Sequence, residues 1–148
     1  MDPTAQNQNA INDLAQRKSL LIIQAQFQQA FDQRDEATRL FLEAAILEEK
    51  MAVHFRQQED TDDAAISLFS AASCYKNAGQ LAKAIALAEE ALPLSNSEIF
   101  VNEIRQFRDA CKPALAPRTL RGVVRDGVVH PFESGVLSEG DLVTIMLA

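Results

Sequence analysis

The chain contains no tryptophan, one tyrosine, two cysteines and two histidines among its 148 residues, and each scarcity closes off a class of function. Two cysteines are too few for a disulfide scaffold. Cys74 and Cys111 lie apart in helical pattern rather than as a ligand-spaced pair, and they read as small buried hydrophobes in a reducing compartment. His54 has no second histidine at metalloprotease spacing, and His130, ahead of Pro131, has no catalytic partner close by in sequence. The longest apolar run, Leu20 to Ile23, falls far short of the ~20 residues that span a bilayer. The opening MDPTAQNQNA lacks the basic start and apolar stretch of a secretory signal. The sequence therefore predicts a cytoplasmic, non-enzymatic protein with no catalytic residue, metal or cofactor, and no membrane partner.

Positive charge is also in short supply, with 14 Lys and Arg against 21 Asp and Glu for a formal charge of -7. A polyanionic surface repels phosphate, which disfavours nucleic acid as a partner. Arg118, Arg121 and Arg125 could form a basic edge only if brought together with those of a second chain. The acids of the EDTDD stretch, Glu59 to Asp63, lack the alternating ligands and central glycine of a calcium loop. They read as helix caps, with Thr61 or Asp62 accepting from the N–H groups of the next helix.

What the chain does have is 47% hydrophobic content, arranged with two different periodicities. Up to about residue 112 the apolar positions recur every three or four residues, as on one face of a helix. Ile11, Leu14, Leu20, Leu21, Ala25, Gln28 and Phe31 fall near this spacing, with Phe27 and Phe31 an i, i+4 pair and a helix end near Arg34, and a long pattern from Ala37 through Phe41 and Met51 to Phe55 follows. A hairpin comes next, with arms at 62–77 and 80–92 joined through Gly79. Ser97 or Asn96 caps a last helix carrying Ile104, Phe107 and Cys111. Residues 1–10 read as a flexible tail, 11–112 as a helical domain, 113–118 as a linker and 119–148 as a β module. The fold class is mainly α, antiparallel helical hairpins followed by a small antiparallel β module of about three strands.

Within the helical part, LFSAASCYKNAGQLAKAIALAEEALPLSNS resembles one tetratricopeptide repeat. Leu68, Ala72, Tyr75, Gly79, Ala84 and Ala91 stand at its diagnostic positions, while Ala88 replaces the usual aromatic and Asn96 the usual proline. RDEATRLFLEAAILE repeats the second-helix signature upstream through Ala37, Phe41 and Ala44, although the spacing from Ala37 to Ala84 exceeds the family's period of about 34 residues. The resemblance implies binding rather than chemistry: a protein or peptide held along the first helices of the hairpins. It points to Gln24 and Gln28 on one first helix and to Ser70, Ser73, Lys76 and Asn77 on the next. The family's basic carboxylate clamp is not present.

In the tail, GVVRDGVVHPFESGVLSEGDLVTIML alternates apolar and polar residues around the turn signals Asp126-Gly127 and Glu139-Gly140. It is similar to a family of small antitoxin-like β proteins of bacteria and archaea, with Ser138 where their proline commonly stands. A segment this short, apolar on both faces, cannot close a core alone. It is therefore expected to pair with a second chain as a homodimer through Leu120, Val124, Val128, Val143, Ile145 and Leu147. The leading expectation is an adaptor or scaffold dimerised by its tail. The alternative is an antitoxin-like protein that neutralises a cognate toxin or regulates its expression.

Overall fold

The computed structural model describes residues 3–115, 118–119, 121–132 and 143–144. The chain divides into two compact units, Met1–Lys112 and Pro113–Ala148. The first is helical: α1 (Pro3–Ala30), α2 (Arg34–Gln57), α3 (Thr61–Asn77), α4 (Leu81–Ala91) and α5 (Glu98–Cys111), with a 3-10 turn at Leu92–Leu94. Successive helices pack on each other in order along the chain.

The core follows from the sequence pattern. Ala44, Ala45, Ala64, Ala65, Ala71, Ala72, Ala84, Ala88 and Ala91 are fully buried on α2, α3 and α4, and such small side chains let helix backbones approach closely. Phe41, Leu47, Leu68, Leu87 and Ile104 fill the wider gaps. Against the outer side of α3, Phe69 meets the rings of Phe100 and Phe107 on α5 edge-on, at centroid distances of 5.4 and 5.1 Å. Edge-to-face pairing sets the positive rim of one ring against the negative face of the next. Arg56–Glu90 at 2.7 Å and Lys83–Glu49 at 3.2 Å join α4 to α2 across the surface.

The three turns between α1, α2, α3 and α4 share one solution. Each helix ends with a residue in the left-handed region: Asp32 at φ 57°, Glu59 at φ 60° and Gly79 at φ 79°. In each, the following residue's N–H reaches back five positions: Gln33 to Gln28, Asp60 to Phe55 and Gln80 to Tyr75, at 2.9, 2.9 and 2.8 Å. This is the Schellman arrangement, which satisfies carbonyls that the helix leaves unpaired. The sequence marks all three breaks, near Arg34, at Glu59–Asp63 and at Gly79, but only at Gly79 does the residue type announce the left-handed conformation.

Two local expectations are corrected. Residues 3–10, expected as a flexible tail, belong to α1. Pro3 suits a first helical turn, where its missing N–H costs nothing, and the polar residues after it contain no glycine or further proline to stop the helix. The α3 cap is Asp60, whose carboxylate accepts the Asp63 N–H, rather than Thr61 or Asp62. Ser97 caps α5 as expected, accepting the Phe100 N–H.

The second unit holds a hairpin of β2 (Gly122–Arg125) and β3 (Val128–Pro131), turning through Asp126 and Gly127, both at positive φ. Beside this antiparallel pair, β1 (Arg118–Thr119) and β4 (Val143–Thr144) form a short parallel ladder with Arg118 opposite Val143. The expectation of a purely antiparallel module is thus corrected. The long connection between β1 and β4 lets the chain return in the same direction.

Gly79 has open space where a Cβ would sit, so a substitution there meets only the backbone penalty. Gly79→Ala should destabilise the helical unit by about 1 kcal/mol, and Glu59→Gly should stabilise it by a similar amount. Urea denaturation followed by circular dichroism measures both.

Candidate functional site

Helix α1 is apolar on two sides. Ile11, Leu21 and Ala25 are buried on the side that meets α2. Leu20, Ile23, Phe27 and Phe31 recur at spacings of three, four and four, so they line one face roughly opposite that core side. They are 61, 62, 60 and 64% exposed. The rings of Phe27 and Phe31 lie 4.6 Å apart, the i, i+4 contact that their spacing predicts. Between Lys18 and Asp32 no residue carries a charge, and the positions around the row are mostly glutamine.

The residues expected to bind a partner are distributed less favourably. Gln24 is exposed and Gln28 half-buried on α1, next to the apolar row. On α3, Ser70 and Ser73 are half-buried, and the Ser73 hydroxyl donates to the Phe69 carbonyl at 3.1 Å. Lys76 and Asn77 are exposed, with the Lys76 ammonium 5.3 Å from the centre of the Phe107 ring on α5. Helix α5 thus engages part of the α3 face that was expected to be open. No hydrogen bond among the described residues joins the α1 pair to the α3 group. Sequence reasoning passed over Leu20 and Ile23 as binding residues, although their offset from the Leu14–Leu21–Ala25 face was the available signal.

A concavity lies where α3 begins and α5 begins. It has a volume of about 550 Å³ and is lined by Asp62, Ile66, Ser95, Asn96, Ser97 and Phe100. The Asp62 carboxylate accepts the Asn96 backbone N–H at 2.8 Å and its side-chain amide at 3.3 Å. Those bonds hold the Asp62 carboxyl below the usual carboxylate range. Its acceptor capacity is therefore directed at the loop itself.

The buried polar cluster lies behind the α1 row. Glu48 on α2, only 1% exposed, accepts from the Lys18 ammonium of α1 at 2.6 Å. Burial pushes the Glu48 carboxyl up, and hydrogen bonds from Lys18 and from Ser67 on α3 act against that shift. Burial, with Glu48 adding to it, pushes the neighbouring Cys74 thiol up to about 11, so this cysteine is a neutral packing group at physiological pH. Cys74 and Cys111 are both free and buried. Among the described residues no group of three or more His, Cys, Asp and Glu side chains could hold a metal ion, and no helix is long and apolar enough to cross a membrane.

Of the expected dimer residues, Leu120, Ile145 and Leu147 lie outside the described residues. Val143 is half-buried opposite Arg118. Val124 pairs with Val129 and Val128 with Arg125, which sets Val124 and Val128 on opposite faces of the hairpin. They cannot belong to one flat face. Val124, Val128 and Phe132 are 52, 57 and 67% exposed.

No protein-family model, curated protein or solved structure matches the chain.

The Lys18–Glu48 pair generates a pH prediction. The folded-state pKa of Glu48 lies above its unfolded value, so the fold favours the protonated carboxyl, and Glu48's contribution to stability falls as pH rises through that raised value. Lys18→Met leaves a buried carboxylate without its cation and should cost about 3 kcal/mol at pH 7, with much of the loss recovered toward pH 4. Glu48→Gln, which leaves a cation that can reach solvent, should cost less. Thermal unfolding of both variants across pH gives the comparison.

Proposed function

We propose that the chain is a non-enzymatic protein-interaction module of adaptor or scaffold type, with the outer face of α1 as its docking surface. The observation that carries this reading is the uncharged row Leu20–Ile23–Phe27–Phe31, each residue at least 60% exposed. A helix that only completes a fold needs one apolar face; a second, contiguous and free of charge, stays energetically unfavourable in water until something covers it. Scattered exposed apolar residues are ordinary. Four in register along one helix face, two of them aromatic, form the kind of anchor row that helix-mediated recognition uses.

The tetratricopeptide-like resemblance supports the same assignment, because α1 occupies the place of a first helix, the element that lines the binding face in that family. Gln24 and Gln28 flank the row and can supply polar contacts at its rim. The framework behind is anchored by the Lys18–Glu48 pair, which holds the docking helix against the stack.

Sedimentation in an extract of the native cell tests this directly. The fluorescently labelled wild-type chain should travel in a complex larger than the purified chain forms alone or, if self-association accounts for all of it, in the same assembly. A Leu20→Ser/Phe27→Ser variant should lose that assembly while keeping its helical circular dichroism. Identical sedimentation of the two proteins overturns the docking role of this face.

A further inference from the structure

We propose that the occupant of the α1 outer face is α1 of a second copy, running antiparallel, so that this helix rather than the β unit joins the homodimer. The inference rests on the docking reading above and adds the identity of the partner. The row is nearly symmetric about residue 25, with Leu20 and Phe31 at its ends and Ile23 and Phe27 inside. A two-fold axis at that point sets Leu20 against Phe31 of the second copy and Ile23 against Phe27. Every layer then matches one aliphatic side chain with one aromatic ring, and the layers have similar bulk along the seam. Parallel pairing would crowd ring on ring at one end and leave the other end underfilled.

Charge points the same way. Two copies each carrying -7 repel over most of their surfaces, but residues 19–31 carry no charge, so here the copies approach without opposing like charges. Area is sufficient as well: covering four half-exposed large side chains on each copy removes ~1,000 Å² from water, at the lower bound for a specific interface. The hairpin divides its apolar side chains between two faces, Val124 with Val129 on one and Val123 with Val128 on the other, so neither face offers a row of four.

Sedimentation equilibrium of the purified full-length chain reads the outcome. The wild type should be dimeric, and Phe27→Glu should weaken association at least tenfold, since a carboxylate would be forced into an apolar seam. Val124→Lys/Val128→Lys, which places a cation on each face of the hairpin, should remain dimeric. A dimer that survives Phe27→Glu but dissociates in the hairpin variant overturns the proposal, and so does a monomeric wild type at ~0.1 mM. In the monomeric case, a complex in cell extract that depends on the row leaves the docking reading standing with a different partner, whereas row-independent sedimentation removes both.

Geometry is read by oxidation of single-cysteine variants. Leu20→Cys mixed with Phe31→Cys should form an intermolecular disulfide, while Leu20→Cys alone should not, because two copies of residue 20 lie ~16 Å apart along an antiparallel pair. Cross-linking by Leu20→Cys alone overturns the antiparallel arrangement.

Discussion

The helical unit depends on the close approach of backbones over alanine. With nine alanines fully buried on α2, α3 and α4, the middle of the stack is held by the fit of one helix against the next, with a few large side chains such as Phe41 and Ile104 closing the remaining space. Such a core is narrow, and it covers only the inner sides of the helices that form it. The two terminal helices must manage their remaining surface differently. Helix α5 does so with aromatic rings laid against Phe69. Helix α1 leaves its second apolar row in solvent.

That contrast explains why much of the fold was legible in the sequence and the candidate site was not. Helical spacing around Ala37–Phe55, Ala65–Tyr75 and Ile104–Cys111 reports burial against neighbouring helices, and the observed α2, α3 and α5 follow it closely. The breaks near Arg34 and at Glu59–Asp63 were legible too, but the left-handed backbone at Asp32 and Glu59 was not, because neither residue type requires that conformation. The α1 row was hidden for another reason. Periodicity marks a position as apolar without saying which of two faces meets the protein, so Leu20 and Ile23 merged with Leu21 and Ile22 into one short apolar run.

The polar side of the design is equally local. Burial disfavours a charge on Glu48, and the Lys18 ammonium from α1 and a hydrogen bond from Ser67 offset part of that penalty. A buried pair of this kind stabilises little by itself, since removing both ions from water costs nearly what their attraction returns. Its effect is directional. An ammonium group must stand at one position on α2, which fixes the register of α1 where aliphatic contacts alone would allow it to slide.

The same pair has a mechanical consequence. To detach α1 past its midpoint from either end, the chain must separate Lys18 from Glu48 and leave a lone carboxyl facing α3. Fraying therefore stops at that point from both directions, and full detachment of α1 becomes a single concerted opening. The helix behaves as a beam riveted at its centre: its ends can flex while the midpoint remains seated.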